Sequence, residues 1–229
     1  MANYGFDATR RTFAGLSLAS LALPAVAQTP KPGNALTPDA ALDELMRGNQ
    51  RYVKGLTQRH DFRSERAALA VGQNPYVSIL GCADSRVGPE FVFDSVRGDL
   101  FVVRVAGNCL NEENLASLEY GVAVLNIPLV MVLGHSSCGA VISTIKSIDS
   151  NTTLPGHLPS LVSALAPAVK AARGQPGDLV TNAAKANVKM TVERLKTTTS
   201  ILSKAIEDKK LMVVGGYYDL ATGVVSLVT

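Results

Sequence analysis

The chain has 229 residues, 47% of them hydrophobic and 18% charged, with a formal net charge of +3 at neutral pH. Those figures exclude a disordered or low-complexity chain and leave room for one ordinary domain with a sizeable core. So small a charge excess gives no electrostatic case for a nucleic-acid partner.

Residues 1–27 read as a removable export signal. Arg10-Arg11-Thr12-Phe13 supplies the positive region, Ala14 to Leu23 the apolar run, and Ala25-Val26-Ala27 an A-x-A cleavage site. The apolar run falls short of the roughly 20 residues that cross a bilayer, so no stable membrane insertion is expected once the signal is cut. The arginine pair followed by Thr-Phe resembles a twin-arginine signal, whose route carries folded proteins, and a periplasmic or otherwise exported product is expected. Cleavage after Ala27 removes Arg10, Arg11 and Asp7, which takes the net charge from +3 to +2.

Residues 28–36 carry Pro and Gly and read as a linker, leaving 37–229 as a single α/β domain. Thr37-Pro38-Asp39 offers an N-cap, a proline at the first helical position and an acid in the first turn. Leu42, Leu45, Met46, Tyr52 and Val53 then recur at helical spacing, so 38–54 is predicted as an amphipathic N-terminal arm. A shorter helix is predicted at about 64–70. Three apolar runs, 76–81, 101–105 and 129–134, suit buried parallel strands. A helix from about Glu112 to Leu125 separates the last two, in the order a βαβ unit requires. Further helices are predicted at 158–173, where Pro167 is able to kink or divide the segment, and at 181–209. Leu211 to Tyr218 and Val224 to Val228, joined by a turn through 219–223, read as an antiparallel hairpin. The predicted fold class is α/β: a mainly parallel central sheet flanked by helices, with an N-terminal helical arm and a C-terminal hairpin.

Two predicted strands end in glycine and at once present metal-capable side chains: Gly81-Cys82-Ala83-Asp84-Ser85-Arg86 and Gly134-His135-Ser136-Ser137-Cys138-Gly139. The carboxyl ends of parallel strands are where α/β sheets place their ligands. Thiolate and imidazole suit Zn²⁺, and three protein ligands, Cys82, His135 and Cys138, leave one coordination position open, which is the catalytic arrangement. Asp84 can fill that position as a fourth metal ligand. Arg86, two residues on, can capture the same carboxylate in a bidentate pair, so the two together read as a gate on the metal. One zinc ion per chain is expected. Cys109 has no partner motif and reads as a small core hydrophobe, and His60 and His157 read as solvated loop residues.

Cys-x-Asp-x-Arg and His-x-x-Cys at these positions resemble the signatures of the β-class carbonic anhydrases, and the similarity runs from about Asp39 to the end of the chain. The resemblance implies reversible hydration of carbon dioxide to bicarbonate by zinc-bound hydroxide, with Cys82, His135 and Cys138 on the metal and Asp84 and Arg86 as the catalytic dyad. It implies a substrate pocket in which Gln73 bonds bicarbonate or its precursor, Phe101, Ala106 and Tyr120 form apolar walls, and the Gly139 N–H faces the substrate. It also implies a homodimer or higher homo-oligomer in which Gln73 and Tyr120 act across the interface. A regulatory bicarbonate site found in some members matches here at Arg104 and Tyr218, but Ile79 stands where those members carry Trp, so that site is not expected. Two rival readings stay open on the residues alone: the same zinc site turned to carbonyl sulfide or carbon disulfide, and a non-catalytic zinc or thiol protein.

Overall fold

The computed structural model describes residues 36–59 and 61–228. The export signal expected at 1–27, the expected linker up to residue 35 and His60 lie outside the described residues. Among the described residues no helix is long and apolar enough to cross a membrane.

The chain opens with α1 (Pro38–Val53), capped by Thr37 Oγ1, which accepts from Ala40 N at 3.3 Å. Its inner face, Ala41, Leu45, Gly48 and Asn49, is buried, so the predicted arm is docked on its own chain along that side. Asn49 fixes the docking: its Nδ2 donates to Val92 O and Gly223 O, and its Oδ1 accepts from Val225 N. Helix α2 (Phe62–Val71) follows, starting two residues before the predicted segment.

Strands β1 (Val77–Gly81), β2 (Leu100–Arg104), β3 (Leu129–His135), β4 (Met212–Tyr218) and β5 (Val225–Val228) form one sheet in the order β2-β1-β3-β4-β5. The first four are parallel and β5 is antiparallel to β4. β1 and β3 are buried along their whole length, as their continuous apolar runs require. From β1 the chain passes outward to β2 and then returns to the other side of β1 as β3. The point where strand order reverses therefore lies between β1 and β3, and such a point leaves a crevice at the carboxyl ends of the strands.

The helices are α3 (Pro89–Val92), α4 (Glu112–Ala123), α5 (Gly139–Asp149), α6 (Leu158–Ala172), α7 (Leu179–Thr197) and α8 (Ser200–Glu207), with a 3₁₀ turn at Ala106–Asn108. They depart from the sequence reading at three places. The helix predicted at 181–209 is two helices, because Thr198 Oγ1 donates to Arg194 O to close α7 and Thr199 Oγ1 accepts from Leu202 N to cap α8. Hydroxyl side chains that bond nearby backbone compete with helix continuation in this way. Helix α6 runs unbroken through Pro167, with Leu165, Ala168, Val169 and Ala172 buried, so tertiary packing outweighs the lost N–H. Helix α5 went unpredicted, since Val141, Ile142, Thr144 and Ile145 are β-branched and favour helix weakly.

Candidate metal centre

In β1–β3 register Gly81 pairs with Leu133, so the residues that follow each strand emerge side by side. Gly134, near the end of β3, lets α7 approach closely: a Cβ there would stand 2.7 Å from Val188 Cγ2. The two turns converge. Cys82 Sγ, His135 and Cys138 Sγ offer ligand atoms that all lie within 4.8 Å of one another, and all three residues are buried. The two sulfurs are 4.0 Å apart, against about 3.8 Å for two thiolates on one tetrahedral zinc.

His135 is fully buried. Its Nδ1 lies 2.9 Å from Ser136 O, which makes Nδ1 the protonated nitrogen and turns the Nε2 lone pair inward. Nε2 has no hydrogen-bond partner, and a fully buried, unpartnered imidazole nitrogen between two thiols fits a metal ligand. The Cys138 thiol donates toward the Cys82 sulfur, which pulls the Cys82 pKa well down and pushes that of Cys138 up. A divalent cation held by both sulfurs would displace their protons.

Asp84 stands beside this cluster, its Oδ2 3.9 Å from His135 Nε2. Its carboxylate lies in the fork of Arg86: Oδ1 accepts from Arg86 Nε at 2.9 Å and Oδ2 from Nη2 at 2.7 Å. The Arg86 side-chain bond is the main reason the Asp84 pKa falls well below the ordinary carboxylate range. Arg86 Nη2 also reaches Ser137 O at 3.2 Å and so ties the first turn to the second. Ser137 presents that carbonyl from a left-handed conformation, φ +52°, which costs about 1–2 kcal/mol for a residue with a Cβ.

A family model described as carbonic anhydrase matches residues 77–225. "Carbonic anhydrase 2" of Mycobacterium tuberculosis is 42% identical over 188 residues, covering 81% of this chain and 90% of that protein. The chain belongs to the β-class carbonic anhydrase family. A carbonic anhydrase of Mycolicibacterium smegmatis is 36% identical over 191 residues, 83% of this chain and 93% of that one. Among solved structures, a tetrameric β-carbonic anhydrase of Sordaria macrospora aligns with TM-score 0.65 at 25% identity, covering 72% of this chain and 86% of that chain. The Coccomyxa β-carbonic anhydrase in complex with acetazolamide aligns with TM-score 0.62 at 26% identity, covering 81% of this chain and 80% of that chain.

Within this carbonic anhydrase the other predicted site residues fall into two groups. Gly139, exposed and with open space above its Cα, begins α5 directly after Cys138. Ala106 lines an apolar cavity of about 210 Å³ with Ala140, Leu154, Leu158 and Leu161. Those two adjoin the ligand turns. Phe101 instead pairs with Ser78, three residues below the end of β1 and so roughly 10 Å down the strand. Its ring centroid is 6.2 Å from that of Tyr120, which is 47% exposed on α4. Gln73 is exposed ahead of β1, at the amino end of the sheet.

Several contributors escaped the sequence reading. Arg104, considered there only for the regulatory site, donates from Nε to Cys82 O at 2.9 Å and from Nη2 to Asp84 O at 2.6 Å, pinning the backbone of the first turn to β2. Ser136 ties the second turn to β4: its N donates to Tyr218 O, and its Oγ accepts from Leu220 N. Tyr218 itself is buried, its hydroxyl 3.2 Å from that of Tyr52. Gly107 N donates to Cys82 Sγ at 3.3 Å, and the Gly-Asn pair at 107–108 was the available signal for a tight turn. Cys109 is buried with its pKa pushed up to about 11 by desolvation, an inert thiol outside the cluster. His157 is exposed just ahead of α6.

Proposed function

We propose that this carbonic anhydrase holds one zinc ion through Cys82 Sγ, His135 Nε2 and Cys138 Sγ, and hydrates carbon dioxide reversibly to bicarbonate and a proton. The observation that carries the reading is the unpartnered, fully buried His135 Nε2 beside the sulfurs of Cys82 and Cys138, which lie 4.0 Å apart. When bound, zinc supplies a Lewis acid with an open fourth position, an effect for which carbonic anhydrases are themselves the standard illustration.

The residues around that position divide the remaining work. Asp84, kept ionised by Arg86, is an acceptor: it takes a hydrogen bond from the attacking water and aims the oxygen lone pair at the carbon of the substrate. Its depressed pKa makes it a poor proton donor at neutral pH. Arg86 holds Asp84 off the metal and so keeps the site open; release of the fork would let the carboxylate swing onto the fourth position and close it. The Gly139 N–H, at the positive end of α5, suits the charge that grows on bicarbonate.

The pocket is completed by a second copy of the chain. Gln73 sits at the amino end of β1 and Phe101 and Tyr120 lie together below the ligand turns, so these three serve a neighbouring site in a homodimer or larger homo-oligomer. Export by the twin-arginine route is part of the same proposal and rests on Arg10, Arg11 and the A-x-A site. A mature chain starting after Ala27 in the periplasmic fraction supports export, and a full-length chain confined to the cytoplasm refutes it.

The central experiment is stopped-flow carbon dioxide hydration from roughly pH 6 to 9, with zinc content measured on the same sample. Rapid hydration at about one zinc per chain is expected. Bound zinc without hydration at any pH would overturn the catalytic reading.

A further inference from the structure

Asn187 is 6% exposed and stands on the inner face of α7 among Ala183, Ala184, Val188 and Thr191. A polar side chain on so apolar a stripe is kept there by a hydrogen bond. Its Nδ2 donates to Gly107 O at 2.9 Å, and the N–H of that same glycine donates to Cys82 Sγ at 3.3 Å.

The N–H and the C=O belong to the two peptides that flank the Gly107 Cα, so an anchor on one orients the other only if the glycine between them is held. Gly107 is held by its surroundings: φ is +71°, and an added Cβ would stand 2.9 Å from Leu165 Cδ1 and 3.2 Å from Ala140 Cβ. The residue that is freest in the unfolded chain is thus fixed by packing on one side and by Asn187 on the other.

We propose that Asn187 is a positioning residue for the Cys82 ligand: by anchoring the Gly107 carbonyl it keeps the Gly107 N–H on the Cys82 sulfur and so sets how strongly that sulfur donates to the metal. The inference rests on the metal reading above. A thiolate that accepts an N–H bond gives less charge to its metal, which leaves the metal a stronger Lewis acid. With two thiolates in the ligand set, that correction matters more than it would at a site of neutral imidazoles.

The test uses the full mature chain loaded with Co²⁺ in place of zinc. The wild-type protein should show a thiolate-to-cobalt charge-transfer band. Asn187→Asp, which sets a carboxylate against the Gly107 carbonyl, should move that band to lower energy and weaken Co²⁺ binding roughly tenfold in chelator competition. Asn187→Leu, similar in volume and lacking both donor and charge, should move the band in the same direction and serves if the aspartate variant does not fold. A folded, cobalt-binding variant whose band stays in place overturns the inference and leaves Asn187 as core packing. If the wild type shows no thiolate band, the metal reading itself fails, and this inference with it. One measurement needs no variant: wild-type protein loaded with a spin-active cadmium isotope should show scalar coupling between cadmium and the Gly107 amide proton, and its absence overturns the proposal.

Discussion

The turns after β1 and β3 both end a buried parallel strand and both deliver a cysteine, yet they are built to different ends. In the turn after β3 both metal-capable side chains are sealed, His135 fully buried and Cys138 1% exposed, although Ser137 and Gly139 between and after them are exposed, and Ser136 ties the segment to Tyr218 and Leu220. The turn after β1 starts equally buried at Cys82 and then climbs into solvent, with the Asp84 side chain 15% exposed and that of Arg86 54% exposed. The difference teaches where a fold can store movement. A ligand must be held against the cost of misplacing it, whereas a gate must be able to change partners, and side chains exchange partners readily only at the edge of water. Arg86, reaching from Asp84 to Ser137 O, ties the two turns together at their solvent edge.

The comparison can be broken at its strongest point first. Cys138→Ser in the sealed turn should abolish zinc retention and lower thermal stability in the same sample, because metal binding and folding are coupled at a ligand; full zinc content on metal analysis would contradict it. Asp84→Asn in the open turn should leave zinc in place and reduce hydration by about 10²-fold or more, read by stopped flow. Arg86→Lys keeps the charge but loses the two-pronged grip and should slow hydration roughly tenfold. A variant as fast as wild type would show that the fork does not matter.

The pH response sharpens the same contrast. The folded-state pKa of Asp84 is depressed, chiefly by the Arg86 side chain. The stabilisation from the pair is therefore fully present above the ordinary carboxylate range and is lost only as pH falls through the depressed value. Carbon-13 NMR of the Asp84 carboxyl should show no titration between about pH 5 and 9, and an inflection there would break the fork model. The smallest expected effect is Ser137→Gly. It relieves the left-handed backbone but frees the unfolded chain, two terms of opposite sign that leave stability within about 0.5 kcal/mol of wild type by chemical denaturation.

Much of this was legible in the sequence because strand-end chemistry is local. Gly81-Cys82 and Gly134-His135 announce themselves through apolar runs that stop at glycine, and Arg86 lies two residues from the carboxylate it holds. The misreadings have two causes, tertiary packing at α5 and α6 and local hydroxyl bonding between α7 and α8. Helix α5 forms against weak propensity, α6 survives Pro167, and 181–209 divides where Thr198 and Thr199 bond their own backbone. Asn187 was invisible as a contributor, since its partner Gly107 lies 80 residues away.

The sequence by itself determined the candidate ligand set, the Asp84–Arg86 pair and the buried parallel strands, since each depends on residue type and on spacings of a few residues. Only the tertiary structure decided that β3 returns to the far side of β1, which puts Cys82 within 4.0 Å of Cys138 across 56 residues of chain. It alone decided that Gln73, Phe101 and Tyr120 lie away from the carboxyl ends of β1 and β3, where Cys82, His135 and Cys138 stand. Strand order and sheet ends are set by how elements pack, and packing is a property of pairs of segments that no local pattern carries.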